Sequence, residues 1–334
     1  MEQTSTPAAD TLQKFMFDSA GVRGEFVEMP DTWRHVQERH DYPPAVQNLL
    51  GQMLAAGALL SANLKFNGAL IMQVHGDGPV RLLVVECDAD LRMRATAKLA
   101  PDAEIADDAT VAQLLNASGN GRFVITLDPK DKMPGQQAYQ GIVPLAGDSV
   151  AAIIENYMLR SEQLDTKLWL AADGAVARGL LLQKLPHEGG YRDTLDGVTP
   201  DPDAPKPEAG TQAANDLETW DRAVMLGSTL SQEELLATDI GTLMRRLFWE
   251  ETIRVFEPQH PQFHCSCTRE KVGNMLKMLG NEEVDSALSE LGQLSINCDF
   301  CGQQYSFDKV DCAQLFADGT VPVEGLMPLG SVKH

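Results

Sequence analysis

Apolar residues recur with two different spacings along this chain, and each spacing predicts a different kind of element. Between Pro43 and Lys65 they return every three or four positions, which predicts one long helix with a broad buried face. Between residues 69 and 145 they form short runs separated by turn sequences, which predicts strands joined as a meander. Because helices interrupt these strands without a regular alternation, we expect an α+β fold rather than a doubly wound sheet.

The apolar runs also give approximate bounds for the strands. The expected strands are 22–29, 69–75, 80–87, 91–99, 122–127, 140–145, 167–172 and 176–185. Nearer the N-terminus, residues 1–14 are expected to be a loose tail, and Asp31 is expected to cap a helix that begins near Trp33. We therefore predict a core domain of antiparallel sheet with packed helices over residues 15–185.

The composition changes sharply after residue 185. Proline and acidic residues replace aliphatic ones, with nine Asp or Glu against two Lys or Arg over residues 186–221. Such a segment cannot bury enough apolar area to offset the entropy lost on ordering, so a flexible acidic stretch is expected.

Short amphipathic helices follow the acidic stretch, with Ser231 and Asp239 as N-caps. Their larger apolar residues include Leu217, Trp220, Leu243, Leu247 and Phe248. Helices of this length are marginal unless they dock on something else. We assign residues 186–255 to a linker region made of the acidic stretch and these helices.

Four of the six cysteines lie in two close pairs near the C-terminus. The pairs are Cys265-x-Cys267 and Cys298-x-x-Cys301. Two thiol pairs brought together by an intervening fold are typical of a tetrahedral Cys₄ zinc site. We predict a small zinc module over residues 256–320, with a closed site that leaves no position for a catalytic water.

The same spacing allows a second chemistry. Each pair could become its own disulfide, Cys265–Cys267 and Cys298–Cys301, with loss of the metal. A purely structural zinc is the ordinary interpretation of a Cys₄ site, and the spacing alone leaves both open.

The other candidate ligands and thiols have plainer interpretations. His260 and His264 lie beside the first pair, but four cysteines already fill the coordination sphere. Cys312 is expected to be a semi-exposed bystander rather than a resolving thiol, and Cys87 is expected to be a small core residue.

Charge and motifs exclude several classes of function. A formal charge of −21 disfavours nucleic acid and anionic membranes as partners. Residues 1–10 lack the apolar core of a secretory signal, and the apolar run 49–64 is too short to span a bilayer. With its cysteines in close pairs, the protein is expected to be soluble and cytoplasmic. No hydrolase triad, phosphate loop or dinucleotide fingerprint is present, so we do not expect an enzyme.

Further residues accompany the two cysteine pairs in the patterns Cys265-Ser-Cys267-Thr-Arg269-Glu270, Leu279-Gly280-x-Glu282-Glu283, Glu290-x-Gly292 and Cys298-x-Phe300-Cys301-x-x-x-Tyr305-x-Phe307. With these patterns, the chain resembles the Hsp33 family of redox-regulated chaperones over essentially its whole length. The order of core, helical segment and zinc module also fits that family. The proline- and aspartate-rich run 193–210 and the additional thiol of Cys312 depart from it.

The resemblance implies a redox-regulated, ATP-independent holdase. Its zinc ligands would be Cys265, Cys267, Cys298 and Cys301 in a reduced, inactive state. Oxidation would form the two close disulfides and release the metal, and the active form could become a homodimer. Unfolding of the module would then free the apolar faces of Leu217, Trp220, Leu243, Leu247 and Phe248 to bind unfolding client proteins.

Two other classes of function remain as alternatives. A thiol oxidoreductase would use Cys298-x-x-Cys301 catalytically, although the pair does not follow a strand at a helix start. A zinc-ribbon nucleic-acid module is the second alternative, and the negative charge opposes it.

Overall fold

The computed structural model describes residues 9–18, 20–132, 138–186 and 211–317, and the chain divides into two compact units after Phe263. The strands are β1 (Thr11–Phe17), β2 (Val22–Met29), β3 (Gly68–His75), β4 (Val80–Asp88), β5 (Arg92–Leu99), β6 (Arg122–Pro129), β7 (Tyr139–Pro144), β8 (Thr166–Ala172), β9 (Ala177–Lys184), β10 (Ile253–Val255), β11 (Gln262–Phe263), β12 (Leu294–Asn297) and β13 (Gln304–Phe307). The helices are α1 (Pro30–Gln37), α2 (Pro44–Ser61), α3 (Val111–Leu115), α4 (Val150–Ser161), α5 (Gln212–Gly227), α6 (Gln232–Ala237), α7 (Ile240–Phe248), α8 (Arg269–Leu279), α9 (Asn281–Leu291) and α10 (Lys309–Ala317).

Two sheets form the first unit. The five-stranded sheet has the order β10-β1-β2-β9-β8, and the six-stranded sheet has the order β11-β5-β4-β3-β6-β7. Their pairings are antiparallel apart from β11 with β5. The predicted α+β class with an antiparallel core is confirmed.

Helix α2 packs against strands of both sheets and is buried nearly all round. Its glycines allow this close approach. A Cβ added to Gly51 would lie 2.4 Å from Ala172 Cβ, and one added to Gly57 would lie 2.8 Å from Val85 Cγ1. The helix predicted from residue 43 onward is therefore confirmed, and its glycines set how closely it packs on the sheets.

Two N-terminal predictions are wrong. Residues 11–14 are part of strand β1 rather than a tail, because this strand pairs with β2 on one side and with the distant β10 on the other. Asp31 lies inside α1 and does not cap it. The Asp10 carboxylate accepts hydrogen bonds from the Asp31 and Thr32 N–H groups, both at 2.8 Å, so the helix is capped by a residue that lies just before β1.

Helices α5, α6 and α7 pack on the face of the five-stranded sheet that α2 leaves free. Their caps are as predicted, since Ser231 accepts from the Glu234 N–H and Asp239 accepts from the Thr242 N–H. The apolar cluster here includes Phe15, Phe17, Val22, Phe26, Leu180, Leu182, Leu235, Leu243, Leu247 and Phe248. The short helices are thus stabilised by docking rather than by their own length.

A buried ion pair adds a polar contact to this docking. Arg178 of β9 forms an ion pair with Glu28 of β2 at 2.5 Å, and their side chains are 10% and 15% exposed. The Arg178 guanidinium also donates to the carbonyl oxygens of Leu235 and Thr238 at the end of α6. One strand side chain therefore satisfies helix carbonyls that would otherwise lack partners.

The segment between α7 and the first cysteine pair belongs to the first unit. After β10, the Gln259 N–H donates to the Leu12 carbonyl at 2.9 Å, and the Leu12 N–H donates to the Gln259 carbonyl at 2.8 Å. Strand β11 then pairs with Arg92 and Met93 of β5. The Arg39 guanidinium lies 4.2 Å from the centre of the Phe263 ring, which fixes the last residue of this unit.

The second unit contains α8, α9 and α10 and the hairpin of β12 and β13. Its buried cluster consists of Leu276, Val284, Leu288, Leu294, Phe307 and Cys312. The predicted linker 186–255 overlaps the first unit, and its run 193–210 lies outside the described residues. Among the described helices, none is both long enough and apolar enough to cross a membrane.

We expect Gly51→Ala to destabilise the first unit by about 1–2 kcal/mol. Overpacking a full core typically costs about 1–3 kcal/mol, and the better helix propensity of Ala returns part of that. Gly174→Ala is the matched control, because a Cβ there meets nothing within 4 Å. Urea unfolding measures both, and a Gly51→Ala protein at least as stable as the control would contradict the tight packing.

Candidate metal centre

The turn between β12 and β13 positions the second cysteine pair. The Gly302 N–H donates to the Cys298 carbonyl at 2.8 Å, and the Cys298 N–H donates to the Gln303 carbonyl at 2.9 Å. Gly302 has φ +72°, a conformation in which glycine avoids the strain of a Cβ. The tight turn therefore fixes the backbone from which both sulfurs extend.

The first pair leads directly into helix α8. Thr268 caps this helix by accepting from the Lys271 N–H at 3.2 Å. The Lys271 Nζ donates to the carbonyl of Ser266, the residue between the two cysteines, at 2.9 Å. These bonds orient Cys265 and Cys267 relative to the helix.

The four sulfurs of Cys265, Cys267, Cys298 and Cys301 converge. All lie within 4.8 Å of one another, with Cys265 Sγ 3.7 Å from Cys298 Sγ and Cys267 Sγ 3.4 Å from Cys301 Sγ. Zinc–sulfur bonds of about 2.3 Å in a tetrahedron place the sulfurs about 3.8 Å apart. The arrangement fits a four-coordinate thiolate site of the kind zinc occupies, and this is the candidate metal centre.

The crowding of the four thiols favours their protonated forms unless a cation lies between them. The hydrogen bond with Cys265 and burial raise the pKa of Cys298, and burial raises the pKa of Cys301 to about 11. Negative charges this close repel one another, so the sulfurs cannot all ionise on their own. A divalent cation between them would reverse this preference and hold the thiolates deprotonated.

Tyr305 contacts the cluster from strand β13. Its hydroxyl donates to Cys267 Sγ at 3.2 Å, and this hydrogen bond raises the pKa of Tyr305 to about 12. The tyrosine keeps its proton at neutral pH and acts as a donor to the sulfur.

The remaining candidate ligands and thiols lie elsewhere. His260 Nδ1 lies 2.8 Å from the Asp10 carbonyl oxygen, and the exposed His264 is not one of the grouped ligands. The prediction of a semi-exposed Cys312 is wrong, because this thiol is buried in the core of the second unit. Cys87 is a fully buried core residue, as predicted, and burial raises its pKa to about 12.

The predicted client-binding residues divide by burial. Leu243, Leu247 and Phe248 are buried on the five-stranded sheet, whereas Leu217 and Trp220 are half-buried. Phe248 packs its ring 5.3 Å from that of Phe15 and 5.4 Å from that of Phe17. Their role in binding clients stays a prediction.

Sequence reasoning missed the roles of three residues. Arg178 and Glu28 face each other in register across β9 and β2. The signal for Arg178 was a charge beside the apolar run Leu180–Leu182 of the same strand, which indicates a buried partner. Tyr305 was part of the motif that carried the family resemblance, but nothing in the motif indicated which sulfur its hydroxyl contacts.

The setting of the second pair disfavours thioredoxin-like chemistry. Cys298 and Cys301 lie in the turn of a hairpin, not at the start of a helix that follows a strand. A helix N-terminus is a common way for oxidoreductases to lower the pKa of an attacking thiol. Here the pKa values of both thiols are raised.

Comparisons with known proteins agree across the chain. The family model described as "Hsp33 protein" matches residues 10–308. The 33 kDa chaperonin of Methylobacillus flagellatus is 45% identical over 327 residues, which cover 98% of this chain and 99% of the relative. That of Chromobacterium violaceum is 46% identical over 307 residues, with 92% and 94% covered.

A solved structure has the same fold. The crystal structure of the 33 kDa chaperonin (heat shock protein 33 homolog) from Thermotoga maritima matches with a TM-score of 0.70. The match covers 92% of this chain and 98% of that one at 20% identity.

We expect the reduced protein to bind one zinc ion per chain and Cys298→Ser to weaken this binding more than about 100-fold. The loss of a ligand should exceed the 10–100-fold typical of an outer-shell partner. Metal analysis after gel filtration gives the stoichiometry, and hydrogen exchange over residues 264–317 reports folding. Cys312→Ala is the matched control and should keep the metal; full zinc occupancy in Cys298→Ser would contradict the site.

Proposed function

This chain belongs to the Hsp33 family of chaperones, and from that premise we propose that it is a redox-regulated holdase that works without ATP. The observation that carries the proposal is the convergence of four sulfurs from two close pairs. Such a cluster can hold a metal when reduced, and each pair can separately form a disulfide when oxidised.

In the reduced state, Cys265, Cys267, Cys298 and Cys301 hold zinc. When bound, the ion supplies the positive charge that keeps four crowded sulfurs as thiolates and links the two ends of the module. Among the residues that the structure describes, the buried cluster of the second unit has six members, so this apolar core is small. A module of this size depends on its metal links for much of its stability.

Oxidation removes the ligands. For each pair, one thiolate attacks a peroxide oxygen, which gives a sulfenic acid and releases hydroxide. The second thiolate attacks the sulfenic sulfur, so that the S–S bond forms and a second hydroxide leaves. Two electrons pass from the sulfurs to the peroxide, and the hydroxides take up protons to become water. The Cys265–Cys267 and Cys298–Cys301 disulfides that result no longer supply thiolates, and the module unfolds.

Unfolding of the module is proposed to loosen helices α5, α6 and α7 through the chain that joins α7 to the module. Residues 249–264 connect α7 to the first cysteine pair, and they are held by the short strands β10 and β11. Short pairings of this kind give little resistance once the neighbouring chain is unfolded.

The surface exposed by this release is proposed to bind clients. Undocking would expose the apolar faces of the helices, with Leu217, Trp220, Leu243, Leu247 and Phe248, to unfolding proteins. The oxidised form is proposed to associate as a homodimer in the cytoplasm. The charge of −21 would keep client complexes soluble and disfavour nucleic acid or anionic membranes as partners.

The oxidised protein is expected to suppress light scattering by a heat-unfolding client at near-equimolar ratio, whereas the reduced, zinc-loaded protein should have little effect. The reason is that the apolar helix faces are buried on the sheet until the module unfolds. Thiol counting and metal release, followed in the same samples, relate activity to oxidation. Equal suppression of light scattering by both forms would contradict the proposed redox regulation.

Arg178→Met is expected to make the reduced protein partly active. The change leaves Glu28 buried without its partner and removes the donor to two carbonyls at the end of α6. Breaking a buried pair typically costs about 3–5 kcal/mol, and we expect a loss at the lower end because Glu28 is partly exposed.

Arg246→Met is the matched control for this variant. The Arg246–Glu234 pair joins α7 to α6, but its side chains are 38% and 28% exposed, so its loss should matter little. Client light scattering and hydrogen exchange of α5 to α7 are measured under reducing conditions. If both variants behave like the unmodified protein, the Arg178 contact does not hold the helices.

A further inference from the structure

We propose that the Tyr305 hydroxyl is a positioning group for Cys267 that slows the oxidation of this sulfur and so sets the oxidant level at which the switch responds. The inference rests on the proposed function and adds to it a residue that controls the sensitivity of the first pair. It follows from the hydrogen bond between Tyr305 Oη and Cys267 Sγ at 3.2 Å.

The position of Tyr305 is fixed by the hairpin and the small core. Tyr305 lies opposite Ile296 in the register of β12 and β13, and its ring packs against the buried cluster of the second unit. The hydroxyl is therefore held in place by elements other than the cysteine that it contacts. Because its position does not depend on the position of the sulfur, the hydroxyl orients the Cys267 sulfur.

The sulfurs of the second pair receive a different kind of donor. The backbone N–H groups of Phe300 and Cys301 hydrogen-bond to Cys298, and that of Gln303 hydrogen-bonds to Cys301. These donors follow from the path of the turn, and a side-chain substitution does not remove them. The donor to Cys267 is the side-chain hydroxyl of Tyr305, so removal of one oxygen atom removes this hydrogen bond.

The chemical effect follows from the charge on the sulfur. A thiolate attacks peroxide through its lone pair, and a hydrogen bond to that sulfur draws electron density away from it. When Cys267 attacks, the peroxide O–O bond breaks, a sulfenic acid forms and hydroxide leaves. Cys265 then closes the disulfide and displaces the second hydroxide. The Tyr305 hydroxyl slows the first of these steps and also favours the metal-bound thiolate.

The test compares full-length Tyr305→Phe with Tyr139→Phe. The second variant is a matched control, because Tyr139 is half-exposed in β7 of the first unit and its hydroxyl contacts Glu162. Zinc release during treatment with hydrogen peroxide is followed with a chromogenic chelator, and zinc affinity is measured by competition. Loss of the hydroxyl is expected to speed release and to weaken zinc binding by about tenfold each, the lower end for an outer-shell partner.

Cobalt(II) loading supplies a readout that a merely structural role would not move. The sulfur-to-cobalt charge-transfer band should shift to lower energy in Tyr305→Phe, because the Cys267 sulfur becomes more electron-rich. The band should stay in place in Tyr139→Phe. An unchanged band together with unchanged release and affinity in Tyr305→Phe would overturn the inference.

Two further outcomes are kept distinct. If peroxide releases no zinc from the unmodified protein, the proposed redox function fails, while the cobalt band and zinc affinity still test Tyr305. If Tyr305→Phe does not fold, 3-fluorotyrosine in place of the five tyrosines makes each hydroxyl a stronger donor without removing it. The cobalt band should then shift to higher energy, and no shift would overturn the inference.

Discussion

The convergence of four sulfur atoms is the constraint on which the second unit depends. Its apolar cluster is small, and the two cysteine pairs come from opposite ends of the segment that contains α8 and α9. A metal bound by both pairs would close that segment into a loop and supply stability that the apolar core lacks. The same sulfurs cannot hold the metal and form disulfides at the same time. In the proposed switch, the folded metal-bound module and the oxidised disulfide-bonded module therefore exclude each other.

The first unit depends on burial on both faces of its five-stranded sheet. One face packs on α2, where glycines permit very close contact, and the other carries α5, α6 and α7. Both faces contain buried charged groups, since Glu25 lies on the α2 side and accepts a hydrogen bond from Asn63, and the second face contains the Arg178–Glu28 pair. Helices α6 and α7 have six and nine residues against 18 in α2, so they depend more on docking and the second face is the easier one to open.

Local pattern predicted the elements whose determinants lie within a few residues. The strands over 69–99, the helix from residue 43 and the caps at Ser231 and Asp239 were found because period and capping chemistry are local. Strand β1 was missed because its pairing with β10 involves residues far along the chain. The capping of α1 by Asp10 was missed for the same reason. For the candidate site, cysteine spacing predicted the cluster, but the Tyr305 contact depends on hairpin register.

The anchoring of Phe263 has a consequence for recovery after stress. Strand β11 and the Arg39 contact hold this residue on the first unit, and Cys265 follows only two positions later. When these contacts re-form under reducing conditions, they place the first thiol pair at a fixed point before the module refolds. Only the segment 268–297 must close to bring the second pair back, at an entropic cost of about 3 kcal/mol plus a constant. Once the disulfides are reduced, reassembly is a short intramolecular search, which favours a reversible switch.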